Sequence, residues 1–480
     1  MGDRSVASDR QNRWQNHGVI GAVCVFLLAL VVAAVLAKVL QYNKVHIHDW
    51  DTGIYFNVAW NIFEGDGFYS DVLRRNHLGE HFSPITALFA PLFLISSSPV
   101  WLLAVQGLAV GATYVVLYFI AGKILRDATI PHARLVALTL PLAAYLYRPM
   151  TNALMFEFHP STLATPFLAG AVLALLYRRN MALWVLVALL LSMKENAALA
   201  ILGLAIYAGL VQNRQRLFLA LLGTAAVSAA LIFGVIMPFF QSEEWHHYTR
   251  LGPLSLLRQK ADYVFLLLKG LAFLPLVAWR CGACVLPLLA LNLSVSYELQ
   301  FSITHHYDDL ASVFLLIAAM HGFAIIVQMV RSHLSGWRLR AAVSYFALVS
   351  TVLFYPEARS PHPRLQIDWQ SKHGQWIHEA LAPYRALPDT IGMAATQPIG
   401  PYVSARRRYI PLNSKRLHHL NTFVPGDLIL TSPVRGSQEF TEIFARPEVS
   451  TWFRKVHEDP VLIVYKVVVR PEFPLPERTE

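Results

Sequence analysis

Little of this 480-residue sequence is charged, and still less is cysteine. Asp, Glu, Lys and Arg make up 15% of the chain, and its three cysteines are Cys24, Cys281 and Cys284. All three lie in or beside apolar runs, which leaves no disulfide framework to read. The run Cys281-Gly282-Ala283-Cys284 has the spacing of half a metal knuckle. No second Cys or His pair follows at the required distance, so small residues at a helix end are the better account. Also missing are a Walker phosphate loop, a dinucleotide-binding glycine turn and a Gly-x-Ser-x-Gly elbow. Their absence argues against ATP-driven transport and against a soluble nucleotide-sugar fold. There is no internal repeat and no low-complexity tract.

What fills the chain is apolar: 55% of residues are hydrophobic and the mean hydropathy is +0.44. Long apolar runs recur from residue 19 to about residue 356, the pattern of an all-α polytopic membrane protein. The net charge of +10 could suggest a nucleic-acid partner, but much of the Arg and Lys sits in short loops between apolar runs. There it orients a protein in the bilayer, and no nucleic-acid partner is expected. The first apolar run, Val19 to Leu40, is longer than the roughly 7–15 residues of a secretory signal and reads as a retained span, although Val35-Leu36-Ala37 has the form of a cleavage site.

Positive charge sets the threading. With Arg4, Arg10 and Arg13 in a cytoplasmic tail (1–18), the span at 19–41 exits to the outside. Residues 42–99 become a long external loop whose short apolar piece, Pro84 to Ile95, reads as an interfacial or re-entrant helix. The span at 100–122 returns to Lys123, Arg126 and Arg134. Further spans are expected near 135–147, 160–177, 181–193, 197–212, 217–240, 261–279, 281–293, 309–330 and 340–356. That makes about eleven, with the N-terminus inside and the C-terminus outside. Beyond the transmembrane region (19–356), residues 357–480 are rich in Pro, Arg and His. Short β-prone runs at 387–395, 427–431 and 461–465 predict a small extracytoplasmic α/β domain.

In this threading most of the awkward polar groups fall on one side. His46, His48, Asp49 and Asp51 follow the first span; a carboxylate there could be a general base or metal ligand, or a hydrated cap of the helix starting near Thr52. His81 precedes the interfacial helix and could bind a phosphate or a sugar hydroxyl, or cap that helix. Glu157 and His159 are two apart, so an extended backbone points them the same way, as a site wall or as a solvated turn. Lys194 and Glu195 separate two short apolar runs, where ionisable groups are costly and usually functional. His305, His306, Tyr307, Asp308 and Asp309 precede another span; two His and two Asp suit a metal shell by composition, but no helical His-x-x-x-His spacing supports one. The loop at 243–248 reads as an interfacial segment.

Asp51-Thr52-Gly53-Ile54-Tyr55, Trp60-Asn61, Gly65, Gly67-Phe68-Tyr69-Ser70 and His81-Phe82-Ser83-Pro84-Ile85 together resemble the bacterial membrane-protein family called domain of unknown function 2079. Phe158-His159-Pro160, Lys194-Glu195-Asn196-Ala197-Ala198 and His306-Tyr307 extend the likeness over most of residues 45–330. Where family members carry Phe-Asp-Leu-Gly, this chain has Trp50-Asp51-Thr52-Gly53, with an extra Asp49. The family's layout is similar to that of GT-C membrane glycosyltransferases. The resemblance therefore implies a multi-pass protein of the bacterial cytoplasmic membrane that moves sugar from a polyprenyl-phosphate donor to an envelope glycan, lipid or protein. It implies Asp51, with Asp49 beside it, as catalytic candidates. His81, Glu157, His159, Lys194, Glu195, His306 and Tyr307 would line donor or acceptor sites. The sequence leaves open whether a divalent cation such as Mg or Mn assists. Two rival readings are a lipid or glycan flippase, which would need polar groups at the midplane and internal symmetry, and a non-catalytic envelope-assembly protein.

Overall fold

The computed structural model describes residues 3–241, 256–331, 334, 336–338, 341, 372–397, 399–433 and 438–474. The loop at 243–248 and, Ala341 apart, the expected span at 340–356 lie outside them. Four helices have the length and apolarity to cross a bilayer: Gly18–Asn43, Val100–Asp127, Gln215–Phe240 and Asp309–Arg331. The other expected spans among the described residues are shorter or interrupted, such as Ala133–Leu146, Pro160–Leu176, Asn180–Leu191, Ala197–Val211 and Trp279–Ser294. The expected span at 261–279 is broken, with local cause. Its helix Leu257–Lys269 ends at Gly270, and Ala272 and Phe273 then take left-handed backbone angles, φ 48° and 57°. Short pieces Leu274–Val277 and Trp279–Gly282 follow.

Burial sorts the four long helices into a centre and a rim. Asp309–Arg331 has 83% of its apolar window buried, whereas Gly18–Asn43 and Gln215–Phe240 have 22% and 17%. The rim helices carry apolar side chains outward, as a lipid-facing surface requires. Gly107 and Gly111 let Val100–Asp127 lie directly against the first helix. A Cβ on either would come within 2.8 Å of backbone atoms at Ala34, Val35 or Val31. Such small-xxx-small contacts allow membrane helices to pack closely where the hydrophobic effect gives no drive.

The segment after the first helix folds over one end of the bundle. It holds one turn wound as a π-helix (Asp49–Gly53), a helix (Ile54–Glu64), and a hairpin of β1 (Tyr69–Ser70) and β2 (Arg75–Asn76). A short turn, His77–Glu80, leads to a 3-10 helix over Pro84–Leu94, where the apolar piece before Ile95 was expected.

The C-terminal region forms a five-stranded mixed sheet in the order β4-β3-β5-β7-β6. Its strands are β3 (Met393–Ala395), β4 (Tyr409–Pro411), β5 (Leu428–Thr431), β6 (Phe453–Glu458) and β7 (Ile463–Val467). β4, β3 and β5 are parallel; β7 runs antiparallel to β5 and β6. This sheet docks on the end of the bundle that carries the 49–94 segment. Tyr402 donates to Tyr42 O at 2.7 Å, Asn57 Nδ2 donates to Ser404 O at 3.2 Å, and Arg407 pairs with Glu64 at 3.3 Å.

Candidate functional site

The π-wound turn sends successive side chains in different directions. Asp49, wholly buried, turns toward the C-terminal sheet and accepts a hydrogen bond from Tyr409 Oη at 2.5 Å. Gly400 comes so close that a Cβ there would collide with both carboxylate oxygens. Trp50 and Asp51 face a cavity, and Thr52 turns inward and donates to Glu157 Oε2 at 2.5 Å. Burial pushes the Asp49 carboxyl up to about 7, only partly opposed by the Tyr409 hydrogen bond and by His48.

Glu157 fastens this turn. Its carboxylate accepts from His48 N at 3.1 Å and lies 2.9 Å from His48 Nδ1, while Thr52 Oγ1 in turn accepts from Phe158 N at 3.1 Å. Burial raises the proton affinity of Glu157, but the bonds and charge of His48 and the Thr52 hydroxyl outweigh it and hold the carboxyl below its usual range. Neighbouring helices grip the same stretch. Lys38 Nζ donates to Phe156 O at 2.5 Å, Gln106 Nε2 donates to Glu157 O at 3.1 Å, and Gln106 Oε1 accepts from His159 N at 2.8 Å. The result is a fixed His159, with Nε2 3.5 Å from Asp51 Oδ1 and its ring stacked 3.6 Å from that of His306.

The cavity has a volume of about 610 Å³ and gathers groups from segments far apart in sequence. Asp51, His81, His159, Lys194, Glu195, His306 and Tyr307 all reach its wall. Two predicted residues do not: Asp49 is spent on the sheet and Glu157 on the turn. The π-wound turn separates Asp49 from Asp51, and Glu157, which lies outside that turn, is held by His48 and Thr52 instead of sharing the cavity with His159. Glu195 accepts from Phe82 N at 3.1 Å and lies 3.0 Å from His81 Nδ1. Burial pushes Glu195 up, but His81 and Lys194 more than reverse it, and the carboxyl sits at about 2. Burial, with neighbouring imidazoles and Lys194, pushes His159 and His306 well below the usual histidine value. At neutral pH both rings are uncharged.

Other wall residues were not singled out in the sequence. His77 is buried edge-on to Tyr55, with ring centres 5.0 Å apart and neither ring nitrogen hydrogen-bonded among the described residues. Asn292 and Gln300 line the cavity beside the His306–Tyr307 loop, and Asn292 Nδ2 donates to Tyr307 O at 3.2 Å. Arg75 pairs with Glu80 at 3.4 Å, and Arg416 comes from the C-terminal region. The sequence signal for His77 was its place four residues before His81; Arg416 had none.

Among the described residues, no three His, Cys, Asp or Glu side chains are grouped to hold a metal ion. Among the described residues the cavity's carboxylates and imidazoles fall in pairs, Asp51 with His159 and Glu195 with His81, which supply too few donors for a divalent cation, and no step is assigned to one.

Residues 41–443 match the family described as "Predicted membrane protein (DUF2079)", and the chain belongs to it. No protein of curated function matches the chain in sequence. Among solved structures, the fold is similar to that of ArnT from Cupriavidus metallidurans bound to undecaprenyl phosphate. That match has a TM-score of 0.54 and 13% identity, and covers 93% of this chain and 99% of the other. The same protein in the apo state gives a TM-score of 0.51 and 12% identity, covering 94% and 100%. At these identities the likeness shows a common fold.

Proposed function

We propose that this chain is an integral membrane glycosyltransferase that moves a sugar from a polyprenyl-phosphate donor to an envelope acceptor. In this reading it is a multi-pass protein of the cytoplasmic membrane, with its N-terminus inside and its cavity and C-terminal region outside. The observation that carries the proposal is the convergence of the carboxylates of Asp51 and Glu195, several imidazoles and the Lys194 ammonium on a single cavity at the end of an apolar bundle. The fold supports it, because it is shared with a protein crystallised with undecaprenyl phosphate.

Each group has a defined task. Asp51 removes the proton from the acceptor hydroxyl as its oxygen forms a bond to the anomeric carbon. The bond from that carbon to the phosphate oxygen breaks, and its electron pair leaves with the lipid phosphate. Lys194, whose ammonium makes no hydrogen bond or close ion pair among the described residues, neutralises the charge that develops there. His159, held against Asp51, orients the carboxylate. Glu195 and His81 form a closed pair that fixes the wall next to Lys194.

The test is transfer from a labelled polyprenyl-phosphate sugar by the purified full chain. Wild type should transfer and Asp51→Asn should lose activity by a factor of about 10²–10⁴. An active Asp51→Asn removes Asp51 as the base. A wild-type chain that binds undecaprenyl phosphate but transfers nothing from a panel of such donors overturns the transferase reading.

A further inference from the structure

Three cationic side chains line the cavity: Lys194, Arg75 and Arg416. Lys194 lies deep, on the turn between two short membrane helices, and is 8% exposed. Arg416 reaches the same cavity from the 3-10 stretch Ser414–Thr422 of the C-terminal region. The sequence is shaped to present it. Asn413 caps the stretch by accepting from Lys415 N at 2.9 Å, and the backbone leaves helical geometry at Arg416 itself, φ −131° and ψ 29°. Its guanidinium lies 5.9 Å from the centre of the Trp50 ring, at the outer limit of a cation–π contact, where little is gained from the ring alone. Among the described residues no carboxylate pairs with it, whereas the other cavity arginine, Arg75, is matched by Glu80.

Its surroundings reinforce the positive field. Exposed Lys415, its neighbour in sequence, adds positive charge; His419, pushed down to about 4 first by burial and then by Arg74, His418 and Arg416, adds none. Trp50 itself lines the cavity and is 37% exposed, which leaves part of its indole face open. An aromatic face beside an unmatched planar guanidinium suits a ring with an anionic substituent. The pyranose C–H face lies on the indole, and a carboxylate or phosphate accepts two N–H bonds from the arginine.

We propose that Trp50 and Arg416 form a subsite for an acidic sugar, one bearing a carboxylate or phosphate, and that this sugar belongs to the acceptor. The assignment to the acceptor rests on the transferase reading, in which Lys194 serves the donor phosphate. The C-terminal region is then a wall of the site that selects the second substrate by charge.

Calorimetric titration of the full chain tests the subsite without any turnover. The probes are methyl glucuronide, glucose 6-phosphate, neutral methyl glucoside and inorganic phosphate. Wild type should bind the two charged sugars about tenfold or more tightly than methyl glucoside. Arg416→Gln should lose that preference and Arg416→Lys should recover part of it, because lysine keeps the charge without the planar fork. Undecaprenyl phosphate should bind wild type and Arg416→Gln equally. No preference for charged sugars in wild type, or a preference kept in Arg416→Gln, overturns the proposal. Inorganic phosphate binding as tightly as glucose 6-phosphate also overturns it, since the ring would then contribute nothing. Charged-sugar selectivity in a chain that transfers no sugar would keep the subsite and remove only its assignment to an acceptor.

Discussion

Asp49 and Asp51 stand two residues apart on one turn, yet they belong to different regions of the molecule. Asp49 is sealed between the bundle and the C-terminal sheet, against Tyr409 and the backbone at Gly400. Asp51 remains partly open, on a cavity shared with His159, Lys194 and His306. A carboxyl that is fully enclosed has no access to a substrate and acts on how the parts of the protein hold together. A carboxyl on a polar cavity wall can exchange a proton with whatever enters. Glu157 belongs with Asp49 in this division, although its chemistry is opposite. Hydrogen bonds keep it ionised, whereas burial works to keep Asp49 neutral.

The division is broken most directly by exchanging effects on turnover and on stability. Asp51→Asn should cost about 3–5 kcal/mol in transition-state stabilisation, measured as the fall in transfer rate, while the thermal midpoint stays near wild type. Glu157→Ala should do the reverse in kind. It leaves His48 and Thr52 without their acceptor inside the protein, a loss of about 3–5 kcal/mol of folding stability read by thermal or denaturant unfolding. Donor binding per folded molecule should survive if the turn still forms. A Glu157→Ala protein as stable as wild type would place Glu157 with Asp51, among groups kept for function.

Much of the cavity was legible because ionisable residues at the ends of apolar runs are too costly to be accidental. His81, His159, Lys194, Glu195 and His306 stand out on that ground alone, and alternating basic loops put them on one side. Which member of a close pair reaches the cavity was not legible. A π-wound turn has no sequence signature, so Asp49 and Asp51 looked alike; Glu157 looked like His159 because its partners, His48 and Thr52, are more than a hundred residues away. The crossings were legible as apolar runs but not as a count. Runs such as Ala197–Val211 are too short to span alone, and the break at Ala272–Phe273 follows no marked proline. Arg416 was beyond reach because it meets Trp50 only after the sheet has docked. Long-range docking is written in the shapes of two surfaces and in no local pattern.

A smaller effect separates the two enclosed acids by the sign of their pH dependence. Asp49 has a folded value near 7 against an ordinary 3.8, so the folded protein holds a proton that the unfolded chain releases. Its contribution is complete below about pH 3.8 and declines as the pH rises toward 7. Glu157, held low, contributes above its ordinary range and loses that contribution as the pH falls. Asp49→Asn should therefore flatten the decline between pH 4 and 7 and leave the acid limb intact. Thermal midpoints measured across that range check it, and an unchanged slope would mean that Asp49 is ionised in the fold.

The smallest change is Tyr409→Phe, and it is the most discriminating. Its hydroxyl is the hydrogen-bond donor to Asp49, and that bond lowers the carboxyl's proton affinity against the stronger effect of burial. Removing the hydroxyl costs about 1–3 kcal/mol, the usual range when a buried acceptor loses its partner. It should also move the Asp49 transition upward, so that the decline in stability extends to higher pH than in wild type. Asp51 lies outside this exchange, so the pH profile of transfer per folded enzyme should not move with it. If the transfer profile shifts together with the stability profile, the two carboxyls are coupled through the turn. Sealed latch and open cavity would then be one titrating unit.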